Sequence, residues 1–214
     1  MVPGAEDDMI GILDINMGNL RSLSKAVYSL GFDFVLVRSP ADLEDATHLM
    51  VPGVGAYRTA MLHIDGLGMR NPIREFAATG RPVAGICLGM QLLSAFGEEG
   101  GESKGLGLVP GRVARMTPEG GLHLPHVGWN TTRFRKPEHP IFHKVKNGMD
   151  FYYVHSYHFR CDDASHVLAE TDYGSPVTSV VGNGNAIGFQ FHPEKSQANG
   201  LRLIENFCEW NGKC

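Results

Sequence analysis

The sequence of 214 residues contains no apolar run approaching the roughly 20 residues needed to cross a bilayer. No membrane-spanning helix is expected. Cysteine is scarce: Cys87, Cys161, Cys208 and Cys214 lie far apart, and no C-x-x-C pair occurs. That pattern argues against a disulfide framework and predicts reduced thiols in a cytoplasmic protein. Positive charge is not in excess, with 19 Lys and Arg against 23 Asp and Glu and a net charge of −4. A nucleic-acid surface wants a basic face, so no nucleic-acid partner is expected. The opening MVPGAEDDMI is acidic and lacks the basic-then-apolar layout of a secretion signal, and its first eight residues read as a loose tail. Repeats, low-complexity tracts and long linkers are also missing, so residues 9–214 are expected to form one domain. The phosphate-cradling pattern G-x-x-x-x-G-K-[ST] does not occur.

A core is available, since 43% of the residues are hydrophobic and 20% charged. MIGILDI (9–15) reads as a buried strand. Leu20, Leu23, Val27 and Leu30 then recur at helical spacing, with Gly31 as a stop. FDFVLV (32–37) reads as a second strand, and THLMVPGVGAY (47–57) as a third that runs into a Gly-Pro loop. Residues 56–79 read as mostly helical, broken near Gly66-Leu67-Gly68 and Asn71-Pro72. Alternation of this kind predicts an α/β fold, a parallel sheet with helices on both faces. Residues 105–191 switch to short strands and turns, with SVVGNGNAIGFQF a hairpin candidate centred on Asn-Gly. A last helix is expected near 196–210.

The chemistry begins at RPVAGICLGMQLL (81–93). Val83 to Ile86 form an apolar strand pattern, and Leu88, Gln91 and Leu92 follow at helical spacing. The period changes at Cys87. G-x-C-x-G at such a junction has the spacing of a nucleophile elbow, with sulfur in place of oxygen. Glycines on either side let the backbone pass close by. The first amides of a helix lack internal partners, so a thiolate there is stabilised. A small buried apolar residue is the competing reading of a free cysteine.

GFQFHPEKS (188–196) supplies a second half. Residues 188–191 read as a strand leading to His192. In an extended segment His192 and Glu194 face one way, so the carboxylate could orient an imidazole acting as base and acid. His123-x-x-His126 and His155-x-x-His158 have no partner pair at zinc-finger spacing, so neither a metal nor another cofactor is expected.

GICLGMQLL and FQFHPEKS resemble the class I (triad) glutamine amidotransferases. VPGVGAY (51–57), LPHVGWN (124–130) and YYVHSYH (152–158) resemble the branch formed by the glutaminase subunits of imidazole glycerol phosphate synthases. The likeness runs over nearly the whole chain. It implies a three-layer α/β/α, flavodoxin-like, mostly parallel sheet with a nucleophile elbow. It implies Cys87 as nucleophile, His192 as acid and base, and Glu194 as orienter. The amides of Leu88 and Val54 would hold the oxyanion, with Gly53 and Gly55 letting the peptide between Gly53 and Val54 turn. Gly55, Gln91, His155, Ser156 and Tyr157 would bind glutamine. Gly18, Asn19, Trp129 and Lys195 would face the partner, a (β/α)8 cyclase subunit forming a heterodimer. One departure is DINMGNLRS, where the family usually has D-Y-G-M-G-N, so that Ile15-Asn16 replaces Tyr-Gly. A paralogue feeding another synthase and a cysteine hydrolase on the same elbow are the competing readings.

Overall fold

A computed structural model describes residues 8–213. The expected tail lies outside the described residues except for Asp8, and so does Cys214. The strands and helices are β1 (Met9–Leu13), α1 (Leu20–Ser29), β2 (Asp33–Val37), β3 (His48–Gly53), α2 (Tyr57–Gly66), α3 (Arg70–Ala78), β4 (Val83–Cys87) and α4 (Leu88–Leu92). Then come β5 (Phe96–Gly97), β6 (Ser103–Lys104), β7 (Gly111–Arg115), β8 (His126–Phe134), β9 (Met149–His155), β10 (Tyr157–Cys161), β11 (Val167–Asp172), β12 (Pro176–Asn183), β13 (Ala186–Phe189) and α5 (Gln197–Cys208).

Nine strands form one sheet in the order β2-β1-β3-β4-β13-β12-β11-β8-β9. The five from β2 to β13 are parallel to one another, and the remaining pairings are antiparallel. A smaller sheet runs β10-β7-β5-β6. Strand residues alternate between the two faces, as the pleat requires. Ile10, Ile12, Met50, Ala84 and Ile86 pack on one face with Leu23 and Val27 of α1 and Leu203 and Phe207 of α5. Leu13, Leu49, Val51 and Val83 pack on the other with Met61 and Ile64 of α2 and Ile73 and Phe76 of α3. The result is a mixed sheet between two helical layers. Among the described residues no helix is long and apolar enough to cross a membrane.

Three local expectations shift. Asn71-Pro72 does not break the helical stretch, because α3 starts at Arg70 and Pro72 falls in its first turn, where no donor is missed. The hairpin loop is Gly184-Asn185, since Asn183 still pairs with Ala186, and Gly184 takes the positive φ (+55°). β13 stops at Phe189, short of Phe191. The Ile15-Asn16 departure has a backbone reason. Asn16 sits at φ +57°, where asparagine is among the few residues that can stand in for glycine. Its N–H donates to Asp14 Oδ1 at 3.1 Å.

Candidate active site

β4 runs directly into α4 at Cys87, which sits at φ +55° and ψ −111°. A non-glycine residue there carries backbone strain, so the surroundings must hold it. The glycines two residues to either side allow the close approach. A methyl at Gly85 would lie 2.5 Å from Gly89 O and Met90 N, and one at Gly89 would overlap the Val51 carbonyl of β3. Gly53 of β3 is in register with Cys87, so the loop after β3 lies beside the thiol. α4 spans Leu88–Leu92, the residues whose helical spacing follows Cys87 in the sequence.

A cavity of about 210 Å³ opens there, lined by Cys87, Leu88, His192, Val54 and Gly55. Gln91, His155, Ser156 and Tyr157 line it as well. Nine residues expected at the site from the sequence therefore meet in one cavity, and Glu194 sits behind His192. Glu194 Oε1 accepts from His192 Nδ1 at 2.8 Å, and both side chains are almost fully buried. The route to that contact differs from the extended one expected, since residues 193–195 form a 3-10 turn. Ser196 fixes the turn: its hydroxyl donates to His192 O at 2.7 Å and accepts from Tyr152 N at 3.0 Å.

Burial opposes charge on His192, but its interactions with Cys87 and Glu194 prevail and raise its pKa to about 9. The thiol is close enough to bias the ring, yet no complete hydrogen bond joins them. His192 Nε2 is buried without a hydrogen-bond partner, as is Glu194 Oε2. Cys87 Sγ instead contacts the Val154 carbonyl at 3.8 Å, and Gln190 Nε2 lies 4.0 Å from the sulfur. Catalytic hydrogen bonds often tighten only when substrate is bound.

Of the four residues expected at a partner surface, Asn19 turns inward as well: its Nδ2 donates to Glu194 Oε1 at 3.4 Å. Gly18 lies against Pro52, next to the loop after β3. Trp129 and Lys195 are exposed and flank Tyr152, Trp129 edge-on and the lysine nitrogen 5.9 Å from the ring centre. Val127 is opposite Val154 and Trp129 opposite Tyr152, so the four share one face of the β8–β9 pair. Val127 is 56% exposed, Trp129 49% and Val154 36%, which makes this an open apolar face at the mouth of the cavity.

Sequence reasoning missed Glu99, Gln190 and Val154. Glu99 lies in GEEGGE, which reads as a solvated acidic loop. It lines the cavity, its Oε2 accepts from Tyr57 N at 3.0 Å, and burial pushes its pKa up. Gln190 is fully buried. An amide inside the apolar run GFQF was a legible signal for it. Val154 meets Cys87 Sγ through its backbone carbonyl, which no side-chain pattern reveals. Among the described residues no cluster of three His, Cys, Asp or Glu side chains could hold a metal ion.

A cysteine–histidine–glutamate set on a strand-to-helix turn of an α/β/α sheet defines a class, and the family model described as glutamine amidotransferase class-I matches residues 11–210. The chain belongs to that family. Solved structures agree on the fold: a glutamine amidotransferase crystal structure has a TM-score of 0.74 at 23% identity, covering 95% of this chain and 98% of that one. PurLQS from Thermotoga maritima gives 0.74 at 19%, covering 94% and 97%. More specific is the similarity to imidazole glycerol phosphate synthase subunit HisH. The chain is 45% identical to that of Desulfitobacterium hafniense over 94% of each chain. It is 44% identical to that of Sulfurimonas denitrificans over 94% of this chain and 98% of that one.

Proposed function

We propose that the chain hydrolyses glutamine to glutamate and ammonia. It passes the ammonia to a (β/α)8 cyclase subunit of imidazole glycerol phosphate synthase, with which it forms a heterodimer in the cytoplasm. With that ammonia the cyclase makes imidazole glycerol phosphate and aminoimidazole carboxamide ribotide in histidine biosynthesis. The observation that carries this reading is the meeting of Cys87 and His192, backed by Glu194, in one cavity of about 210 Å³. Similarity to HisH subunits over 94% of the chain supports the choice of pathway.

In this reading residues 9–214 form a single domain with a flavodoxin-like parallel sheet, and the β4–α4 turn is a nucleophile elbow. The Cys87 sulfur attacks the carboxamide carbon of glutamine with its proton held on His192, whose raised pKa keeps the ring charged near neutral pH. The tetrahedral oxyanion is held by the amides of Leu88 and Val54. Collapse breaks the C–N bond; His192 returns the proton to the leaving nitrogen, and ammonia departs, leaving a γ-glutamyl thioester. His192 then draws a proton from water, the hydroxide attacks the thioester, and glutamate leaves as the thiol is restored. Glu194 holds the Nδ1–H tautomer and stabilises the imidazolium.

Gln91 and Glu99 offer acceptors to the α-ammonium group. Ser156 and Tyr157 offer hydroxyls, and Gly55, at φ +105°, lines the cavity with backbone alone. His155 contributes from behind, since both its ring nitrogens are engaged within the protein. Val127, Trp129, Val154, Lys195 and the segment at Gly18-Asn19 form the docking face. Docking there would bias the orientation of the peptide between Gly53 and Val54 and so complete the oxyanion hole. The test is steady-state glutamate release by the chain alone, with the cyclase, and with cyclase plus nucleotide substrate. A large rise at the last step is expected. Rates within about two-fold across all three would overturn the gating, and no release in any condition would overturn the glutaminase reading.

A further inference from the structure

A run of hydrogen bonds, from exposed at Asn130 to buried at Gln190, leads from β8 to the glutamine cavity, and carbonyl acceptors along it fix its direction. Tyr157 O is a backbone carbonyl and can only accept. His155 Nδ1, 2.8 Å away, therefore carries a hydrogen. Burial pushes the pKa of His155 down to about 3, so the ring is neutral and its Nε2 is a lone pair. His126 Nδ1, 3.0 Å from that nitrogen, must then donate to it. His126 is also neutral, its pKa lowered to about 4 by burial, so its own Nε2 accepts from Asn130 Nδ2 at 3.3 Å. Asn130 is pinned in that sense, because Nδ2 also donates to Asp172 O and Oδ1 accepts from Thr131 N, both at 2.8 Å.

The same carbonyl sets Gln91. The Gln91 atom 3.0 Å from Tyr157 O must be the amide nitrogen, and its second hydrogen goes to Gln190 Oε1, also at 3.0 Å. Both hydrogens are thus used within the protein. Gln91 Oε1, with no donor among the described residues, is the atom left for the cavity. An acceptor there suits the ammonium group of an amino acid. If the Gln91 amide turned over, the cavity would present N–H groups to that cation instead.

We propose that His126, which does not line the cavity, is a positioning residue for the α-amino group of glutamine. Its Nδ1–H satisfies the lone pair of His155 Nε2 and so reinforces the tautomer that the Tyr157 carbonyl selects. His155 Nδ1–H in turn holds that carbonyl in place, and the carbonyl together with Gln190 fixes which end of the Gln91 amide faces the substrate. Stacking of the His126 ring between Tyr153 and Tyr173, with centroids at 4.8 and 4.0 Å, holds it in place. The inference rests on the glutaminase reading above and adds a residue to it.

The test uses the complex with the cyclase and two ligands: L-glutamine as substrate, and glutaramate, which lacks the α-amino group, as competitive inhibitor. His126→Leu removes the donor and should raise the KM for glutamine about ten-fold, while the inhibition constant of glutaramate stays within about two-fold of wild type. His126→Asn places an amide nitrogen where the imidazole Nδ1 stood and should recover most of the loss. Nitrogen NMR of the wild-type protein near neutral pH should show His155 with its hydrogen on Nδ1. Equal effects on both ligands, an asparagine variant no better than the leucine one, or a hydrogen on His155 Nε2 would each overturn the proposal. Should His126→Leu fail to fold, the asparagine variant and the NMR measurement still decide. Failure of the glutaminase reading would look different, since the wild-type complex would then release no glutamate from glutamine.

Discussion

Substituting Gly89 by alanine adds one methyl group where α4 leaves Cys87 and passes β3. Gly89 is not among the residues with positive φ, so alanine brings no local backbone strain and the whole effect is steric. The added carbon would lie 2.7 Å from the Val51 carbonyl carbon and nearer still to its oxygen, with Pro52 C at 3.5 Å. These are backbone atoms of a strand paired on both sides, to β1 and to β4, so β3 cannot give way easily. Relief must come from α4, which carries Gln91 and starts at Cys87. Overpacking of this kind costs about 1–3 kcal/mol of stability. A shift of about 1 Å at the nucleophile costs about 100-fold in rate. Gly89→Ala should therefore lose roughly two orders of magnitude in kcat/KM for glutamine in the cyclase complex, while the chain still unfolds cooperatively. Gly80→Ala is the control. Its site is at φ +88° with open space around it, so about 1–3 kcal/mol of strain is expected and no change in kcat/KM. The assay is glutamate release measured beside thermal unfolding. If Gly89→Ala stays within about three-fold of wild type, α4 does not pass β3 as closely as described, and the steric argument for the glycine fails.

Glu194→Gln keeps the shape of the side chain beside His192 and removes its charge. His192, with its pKa raised from 6.5 to about 9 against the cost of burial, lends stability that is full below pH 6.5 and is lost as pH rises through 9. The whole shift is worth about 3–4 kcal/mol, so urea unfolding of Glu194→Gln should show a shallower decline across that window, and an unchanged profile would contradict the assignment. Activity should fall less than in His192→Ala, because an orienter contributes less than the base itself. Trp129→Ala removes a half-exposed ring from the open face of β8 and β9. Affinity for the cyclase, read by titration calorimetry, should drop by about 30-fold with the melting temperature of the free chain unchanged, and undiminished affinity would move the docking face elsewhere.

Where chemistry depends on residues close in sequence, the sequence was informative. The change from strand to helix period at Cys87, with glycines two residues away on both sides, marked the turn that the structure has. His192 and Glu194 were paired correctly for an incorrect reason: the segment was expected to be extended, and a 3-10 turn held by Ser196 makes the contact. The alternation of strands and helices up to β4 revealed the parallel half of the sheet. Long-range contacts were less legible. Nothing local brings Asn19 to Glu194 or joins Gln91 to Gln190, since each pair meets only when the sheet order is known. His126 drew notice as half of a histidine pair with His123. Its real neighbour is His155, which the antiparallel register of β8 and β9 places opposite it.

The central claim is that Cys87 carries glutamine hydrolysis and that the ammonia it frees is used by a separate cyclase site. Cys87→Ala in the reconstituted complex tests both halves in one experiment, with synthesis of imidazole glycerol phosphate followed from glutamine and from ammonium salt. Synthesis from glutamine should disappear while synthesis from ammonium stays at the wild-type rate. Retained synthesis from glutamine would show that Cys87 is not the nucleophile. Loss of both would show that the two sites are not separate.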